Sequence, residues 1–363
     1  LIERFCINLG NTKHNTTVKN FWKKSKKEKK PFFCLAPMAD VTDSAFRQIV
    51  AKYGKFTLPD GSQEGGPDVI FTEMVSCDGL CSVGKEKLLK ILEFSESERP
   101  IVAQLFGSRP ENFYKSAQLV AKLGFDGIDI NMGCPQKNIL KQGAGADLIK
   151  HHDLARKIIR ETKKGAGDLP VSVKTRIGFN KNEIETWLTV LLKEKPAVIT
   201  IHGRTRKEMS KVPAHWDVIK RGVEIAKGSG VLIIGNGDVQ DVSDGQQKAR
   251  ESGVDGAMIG RAVVGKPWLF KNLAVGVLSV EERIGVLVEH IELFEKFYGE
   301  NSKNKKIFGK RARSFNLMKK HVNSYLTGFD GAKELRIKLM DCNSGEEALK
   351  VIHNLLSNRI TKY

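Results

Sequence analysis

The chain has 363 residues, of which 40% are apolar and 28% charged, and carries a formal charge of +18. That composition suits a globular protein long enough for one large barrel plus a small domain. Six scattered cysteines exclude a disulfide scaffold and suit a reducing, cytoplasmic setting, and no apolar run approaches the ~20 residues that cross a bilayer.

Residues 1–30 hold nine Lys or Arg against two acids, with no long apolar stretch and no small-residue cleavage site. They read as a basic, flexible extension without a secretory signal. From residue 31 onward short apolar runs recur: Phe32–Ala36, Val69–Glu73, Ile101–Phe106, Gly127–Asn131, Val171–Thr175, Val198–His202, Val231–Gly235 and Gly256–Gly260. Most are continuously apolar, as in strands buried on both faces. Between them lie stretches with helical spacing, among them Ser44–Tyr53, Pro110–Leu123, Asp153–Lys163 and Glu183–Lys193. Lys55–Asp68, rich in Gly and Pro, reads as a loop insertion after the first helix. Eight strand–helix units predict an α/β fold, a (β/α)8 TIM barrel over residues 31–270. An open doubly wound sheet would want a G-x-G-x-x-G after its first strand, and none follows.

Beyond Phe270 the strand signal stops. Apolar stripes over Val280–Tyr298 and Lys305–Leu326, a shorter helix at Ala332–Met340 and a capping pattern at Ser344 and Glu347 predict a small C-terminal helical bundle over 271–363. The two ends of the chain are strongly basic and the middle nearly balanced; Lys303–Lys320 alone has eight Lys or Arg and no carboxylate. Such a periphery suits a polyanionic partner, nucleic acid above all.

Barrel active sites lie at the C-terminal ends of the strands. Those ends read Pro37-Met38, Glu73, Gln104, Asn131, Lys174, His202, Asn236 and Gly260-Arg261. Gly235-Asn236-Gly237-Asp238 after strand seven and Gly260-Arg261 after strand eight offer exposed amides and a cation to a phosphate, of a substrate or of a cofactor such as FMN. A flavin ring wants a flat apolar bed, hydrogen bonds to its pyrimidine edge and a nearby cation. Pro37-Met38-Ala39, Gln104, Lys174 and His202 supply that set. Cys134, in the loop after strand four, overlooks the same place. It fits a nucleophile, a redox thiol or a general acid; an acid must hold its proton at neutral pH, as a thiol of pKa ~8.5 does. Cys77 and Cys81 lie four apart, but no second pair at zinc spacing joins them, so no metal is expected.

At these residues the chain resembles the tRNA-dihydrouridine synthase family, which is FMN-dependent. The matching stretches are Leu35-Ala36-Pro37-Met38-Ala39-Asp40-Val41-Thr42-Asp43, Thr72-Glu73-Met74-Val75-Ser76, Ala103-Gln104-Leu105-Phe106-Gly107, Asp129-Ile130-Asn131-Met132-Gly133-Cys134-Pro135, Val173-Lys174-Thr175-Arg176 and His202-Gly203-Arg204-Thr205-Arg206, with Asn236-Gly237-Asp238 and Gly260-Arg261. The resemblance implies an FMN barrel followed by a tRNA-binding helical domain. It implies NADPH (or NADH) as reductant, hydride transfer to C6 of uracil, and Cys134 protonating C5. It further implies that Gln104, Lys174, His202, Asn236, Gly237, Gly260 and Arg261 contact FMN, with Asp238 in the same loop. By the same resemblance Asn131 and Arg176 face uracil, Arg204, Thr205 and Arg206 lie toward the RNA, and Lys319, Lys320 and His321 belong to a basic helix that meets tRNA. Arg311 and Arg313 are expected to add phosphate contacts, and the protein is expected to be a monomer. The run Lys207-Glu208-Met209-Ser210-Lys211-Val212-Pro213-Ala214-His215-Trp216 departs from the family pattern, as does the arm Trp22–Lys30. Two other readings are a flavin barrel acting on a small pyrimidine, and an RNA-binding chaperone with a vestigial flavin site.

Overall fold

The computed structural model describes residues 21–22, 30–58, 60–271, 278–299 and 313–360, the last five of these without their side chains. Eight parallel strands alternate with helices: β1 (Phe32–Leu35), α1 (Ser44–Tyr53), β2 (Val69–Phe71), β3 (Ile101–Phe106), α2 (Pro110–Lys122), β4 (Gly127–Met132), α3 (His152–Ala166), β5 (Val171–Arg176), α4 (Ile184–Leu192), β6 (Val198–His202), α5 (Trp216–Ala226), β7 (Leu232–Asn236), α6 (Val242–Ser252) and β8 (Gly256–Ile259). The strands pair in the order 2-1-8-7-6-5-4-3, and β2 pairs with β3 to close the ring. This is the expected TIM barrel, each strand ending within two residues of its predicted limits.

The period of two along each strand divides its side chains between inside and outside. Phe32, Cys34, Val69, Phe71, Val102, Val198, Leu232, Ile234 and Met258 alternate along their strands and pack together as an apolar inner layer. Trp22 joins that layer at 2% exposure. The rest of the 1–30 extension, Phe21 and Lys30 apart, lies outside the described residues. Toward the C-terminal ends the same inward positions turn polar, and this change of chemistry along each strand creates the site. Local signals set the outer helices: Pro110 opens α2, and Asp241 caps α6 by accepting from the Asp244 amide at 2.8 Å.

The described residues group into two compact units, those within Leu1–Met38 and Pro67–Gly260, and those within Ala39–Gly66 and Arg261–Tyr363. The second unit contains α1, a short hairpin (Lys55–Thr57 with Gln63–Gly65) inside the predicted loop, and α7 (Val280–Tyr298), α8 (Lys319–Tyr325), α9 (Ala332–Asp341) and α10 (Gly345–Ile360). Ala45 and Ile49 of α1 share one core with Ile284, Leu287, Ile291 and Phe294 of α7 and with Phe315, Met318, Val322 and Tyr325. The residues that packing assigns to this unit therefore include 39–66 and 261–270, which the sequence reading took with the barrel. A capping box opens α7: the Ser279 hydroxyl accepts from Glu282 N, and the Glu282 carboxylate accepts from Ser279 N. At α10 the Ser344 hydroxyl accepts from Glu347 N, while the Glu347 carboxylate takes the Asn343 amide.

Candidate active site

Register brings the polar inward residues side by side. Gln104 lies opposite Asp129, Asn131 opposite Lys174, Lys174 opposite Thr200, and His202 opposite both Arg176 and Asn236. Gln104 and Asp129 are buried; Lys174 and His202 are partly open.

One network runs across β3, β4 and β5. Gln104 Nε2 donates to Asp129 Oδ2 at 2.7 Å, and Ser172 Oγ donates to Asp129 Oδ1 at 2.6 Å. Asn131 Nδ2 donates to Gln104 Oε1 at 2.9 Å, while Asn131 Oδ1 accepts from the amides of Gly133 (3.1 Å) and Cys134 (2.9 Å). The Cys134 loop is therefore tied to the barrel interior. Its other side rests on Gly145, at φ +62°, where a Cβ would lie 2.8 Å from the Cys134 carbonyl oxygen. Burial pushes the half-buried Cys134 thiol up, against the Gln136 amide, Arg176 and Lys174, which pull it down.

A second network runs across β5, β7 and β8. Lys174 Nζ donates to Asn236 Oδ1 at 2.9 Å, and Asn236 Nδ2 donates to the Met258 carbonyl at 2.8 Å. Burial, helped by Arg176, brings Lys174 down to about 8, while Asp129 and Cys134 pull the other way. Gly235 has no side chain because the Trp216 ring lies where a Cβ would be, 2.4 Å from the ring carbons. Trp216 Nε1 then donates to the Gly237 carbonyl at 3.0 Å, so one indole shapes the loop after β7. Gly237 takes φ +120° with the His202 ring 3.1 Å from its would-be Cβ. Met38 Sδ lies 3.6 Å from the would-be Cβ of Gly260, which places Pro37-Met38 beside the end of β8. Ala39 and Arg261 fall in the second unit.

The residues expected to meet RNA or phosphate lie as follows. Arg204 and Thr205 are each 3% exposed. Arg204 spends its guanidinium on Asp238, on the Val212 carbonyl at 2.5 Å and on His202 Nε2 at 3.2 Å. Asp238 holds Arg204 and accepts from the Ala214 amide at 2.9 Å. His321 is 2% exposed, its ring 4.5 Å from that of Phe46, so it lies in a core. Arg176 is 7% exposed and clamps two loops, donating to the Gly133 carbonyl at 2.7 Å and to the Thr205 and Met209 carbonyls at 3.2 Å. Arg206 lies 5.2 Å over the Phe179 ring. Lys320 is exposed, Lys319 half-buried, and Arg313 sits 3.9 Å from Asp43 and 5.2 Å over Tyr298. Arg311 lies outside the described residues.

The sequence reading missed Asp129, Ser172, Thr200, Glu208 and Trp216. For Asp129 and Ser172 the signal was present: each stands two residues before a site residue on its strand, hence on the same face. Glu208 belongs to the departing loop, and bonds from the Thr205 amide (2.7 Å) and His215 (3.0 Å) hold that loop together. Burial pushes the Glu208 carboxyl up, but those two bonds outweigh it and hold it below its usual value.

The family model for dihydrouridine synthase matches residues 34–361. "Probable tRNA-dihydrouridine synthase 2" of Bacillus subtilis (strain 168) is 40% identical over 334 residues, covering 90% of this chain and 94% of that protein. "Probable tRNA-dihydrouridine synthase" of Staphylococcus aureus (strain COL) is 39% identical over 333 residues, 91% of this chain and 93% of its own. A likeness this high along nearly the whole length, over a barrel with this inner polar layer, leaves one conclusion: the chain belongs to the dihydrouridine synthase family.

Proposed function

We propose that this protein reduces the C5–C6 double bond of uridines in tRNA, in the cytoplasm, using FMN and NADPH or NADH, with Cys134 as the acid. The observation that carries the reading is Cys134 itself: its backbone is pinned by Asn131 at 2.9 Å, and burial keeps its thiol protonated.

The residues present fit a flavin. Thr200 Oγ1 is a buried hydroxyl without a partner among the described residues, on the inner face beside Lys174. The donor set around it combines amide, ammonium and imidazole groups. Gln104 retains a free donor and a free lone pair for the pyrimidine edge, Lys174 places its charge nearby, and His202, Asn236, Gly237 and Gly260 line the approach to the phosphate. When bound, FMN supplies the hydride that uracil accepts at C6. The chain itself must hold the base and deliver a proton to C5. Asn131 and Arg176 border the space beside Cys134, and the thiol proton passes from Sγ to carbon. A uracil inside folded tRNA must first be extruded, which costs a few kcal/mol. Phosphate contacts from Lys319, Lys320, Arg311 and Arg313 offset that cost without reading sequence.

The test is mass spectrometry of unmodified tRNA incubated with protein, FMN and NADPH. A gain of about two mass units on particular uridines is expected from the two added hydrogens. NADPH oxidation without that gain would transfer the reading to a small pyrimidine substrate, and tRNA binding without flavin binding would leave an RNA chaperone.

A further inference from the structure

Asp129 takes no part in the reaction as derived above, yet it is fully buried on the inner face among the residues that do. Burial pushes its carboxyl up to about 6, against Ser172, Gln104 and Lys174, and both of its oxygens accept, Oδ2 from Gln104 Nε2 at 2.7 Å and Oδ1 from Ser172 Oγ at 2.6 Å. A carboxylate whose two oxygens both accept in this way offers its neighbours acceptors only. It therefore requires Gln104 to turn its NH2 group toward Oδ2, which leaves Oε1 for Asn131. Asn131 must then give Nδ2 to Gln104, which leaves Oδ1 for the amides of Gly133 and Cys134. Each carboxamide has nearly the same shape after a half-turn. Reversing Gln104 alone would set its NH2 against that of Asn131, two buried donors with no acceptor between them. A carboxylate at one end and two backbone amides at the other leave a single satisfied arrangement.

We propose that Asp129 is a positioning residue: by fixing the orientation of Gln104 and, through it, of Asn131, it holds the Cys134 backbone where the thiol can deliver its proton. The proposal rests on the reading of Cys134 as the acid. Ser172 takes part, because its hydroxyl occupies the other carboxylate oxygen and can turn either to donate or to accept.

Three variants of the full chain test this. Asp129→Ala removes the acceptor. Asp129→Asn keeps one, with Oδ1 toward Gln104 and its NH2 toward Ser172. Asp129→Asn combined with Ser172→Ala removes what holds that Asn in the useful orientation. The readouts are amide hydrogen exchange at Gly133 and Cys134 in the purified chain, and single-turnover uridine reduction by the flavin-loaded, pre-reduced enzyme. Asp129→Asn is expected to stay within about threefold of the parent in both, whereas Asp129→Ala and the double variant lose at least about thirtyfold in uridine reduction and exchange those amides about tenfold faster. If Asp129→Ala does not fold, the single Asn variant against the double variant decides. Parent-like exchange and turnover in the double variant would overturn the proposal, as would equal losses in Asp129→Asn and the double variant. Should the parent protein make no dihydrouridine while exchange still follows the expected order, the reading of Cys134 as the acid fails and the orienting network stands.

Discussion

Burial shifts both Cys134 and Lys174, the thiol up and the ammonium down. Burial raises the Cys134 thiol, which favours the protonated form that the proposed acid requires. Replacing it by Ala should leave flavin and tRNA binding intact and cut dihydrouridine formation about 10²- to 10⁴-fold, the usual contribution of a positioned acid; parent-like turnover in the mass assay would remove Cys134 from that role. Lys174 is a cation that the fold holds at a cost, its value brought from 10.5 to about 8 chiefly by burial. A base depressed in the folded state gives stability that is complete above the unfolded value and is lost as pH falls through the folded one. Lys174→Met should therefore raise the thermal midpoint at pH 7, with an increment that shrinks above pH 10, while flavin affinity and turnover fall. A midpoint lowered at pH 7 would contradict this. Cys134 and Lys174 were legible in the sequence because motif and strand end coincide. The buried states of Arg204, Thr205 and His321 were not, because the sequence does not say which way a polar side chain turns.

Along the strands, legibility followed burial. Runs apolar on both faces could hardly be anything but barrel strands, and all eight are found. The loop from Lys207 to Trp216 was less readable, since its order comes from Glu208, His215 and Arg204 bonding across it. The contact between Trp216 and Gly235 is a clear example of two elements shaping each other. Gly235→Ala would drive a methyl into the indole at 2.4 Å, and overpacking of this kind costs about 1–3 kcal/mol. Calorimetry should show a lowered midpoint, and flavin retention should weaken because Asn236 and Gly237 move with the strand end. An unchanged midpoint would show that Trp216 yields freely. Trp22 belongs to the same scale: within a highly basic extension, this side chain packs against Phe32 at a ring distance of 5.4 Å.

Charge acts over the whole molecule. Basic residues concentrate at the two ends of the chain, and among those described in the second unit Lys320 is exposed and Lys319 half-buried. Glu at both positions should weaken tRNA binding and flatten the dependence of log affinity on log salt by about one to two, as expected when one or two phosphates are no longer neutralised. Titrations at several salt concentrations check this, and an unchanged slope would place the RNA surface elsewhere. No helix among the described residues is long and apolar enough to cross a membrane.

The sequence by itself determined the barrel, the helical C-terminal region and the family. Each rests on local pattern: continuous burial, periods of 2 and 3.6, and contiguous motifs. Only the tertiary structure decided that residues 39–66 pack with the C-terminal helices, that Arg204 and His321 turn inward, and that Asp129 stands at the root of the Cys134 network. Those outcomes depend on which strands become neighbours and in what register. Register brings Asp129 beside Gln104, 25 residues away in sequence, and no local pattern records that distance.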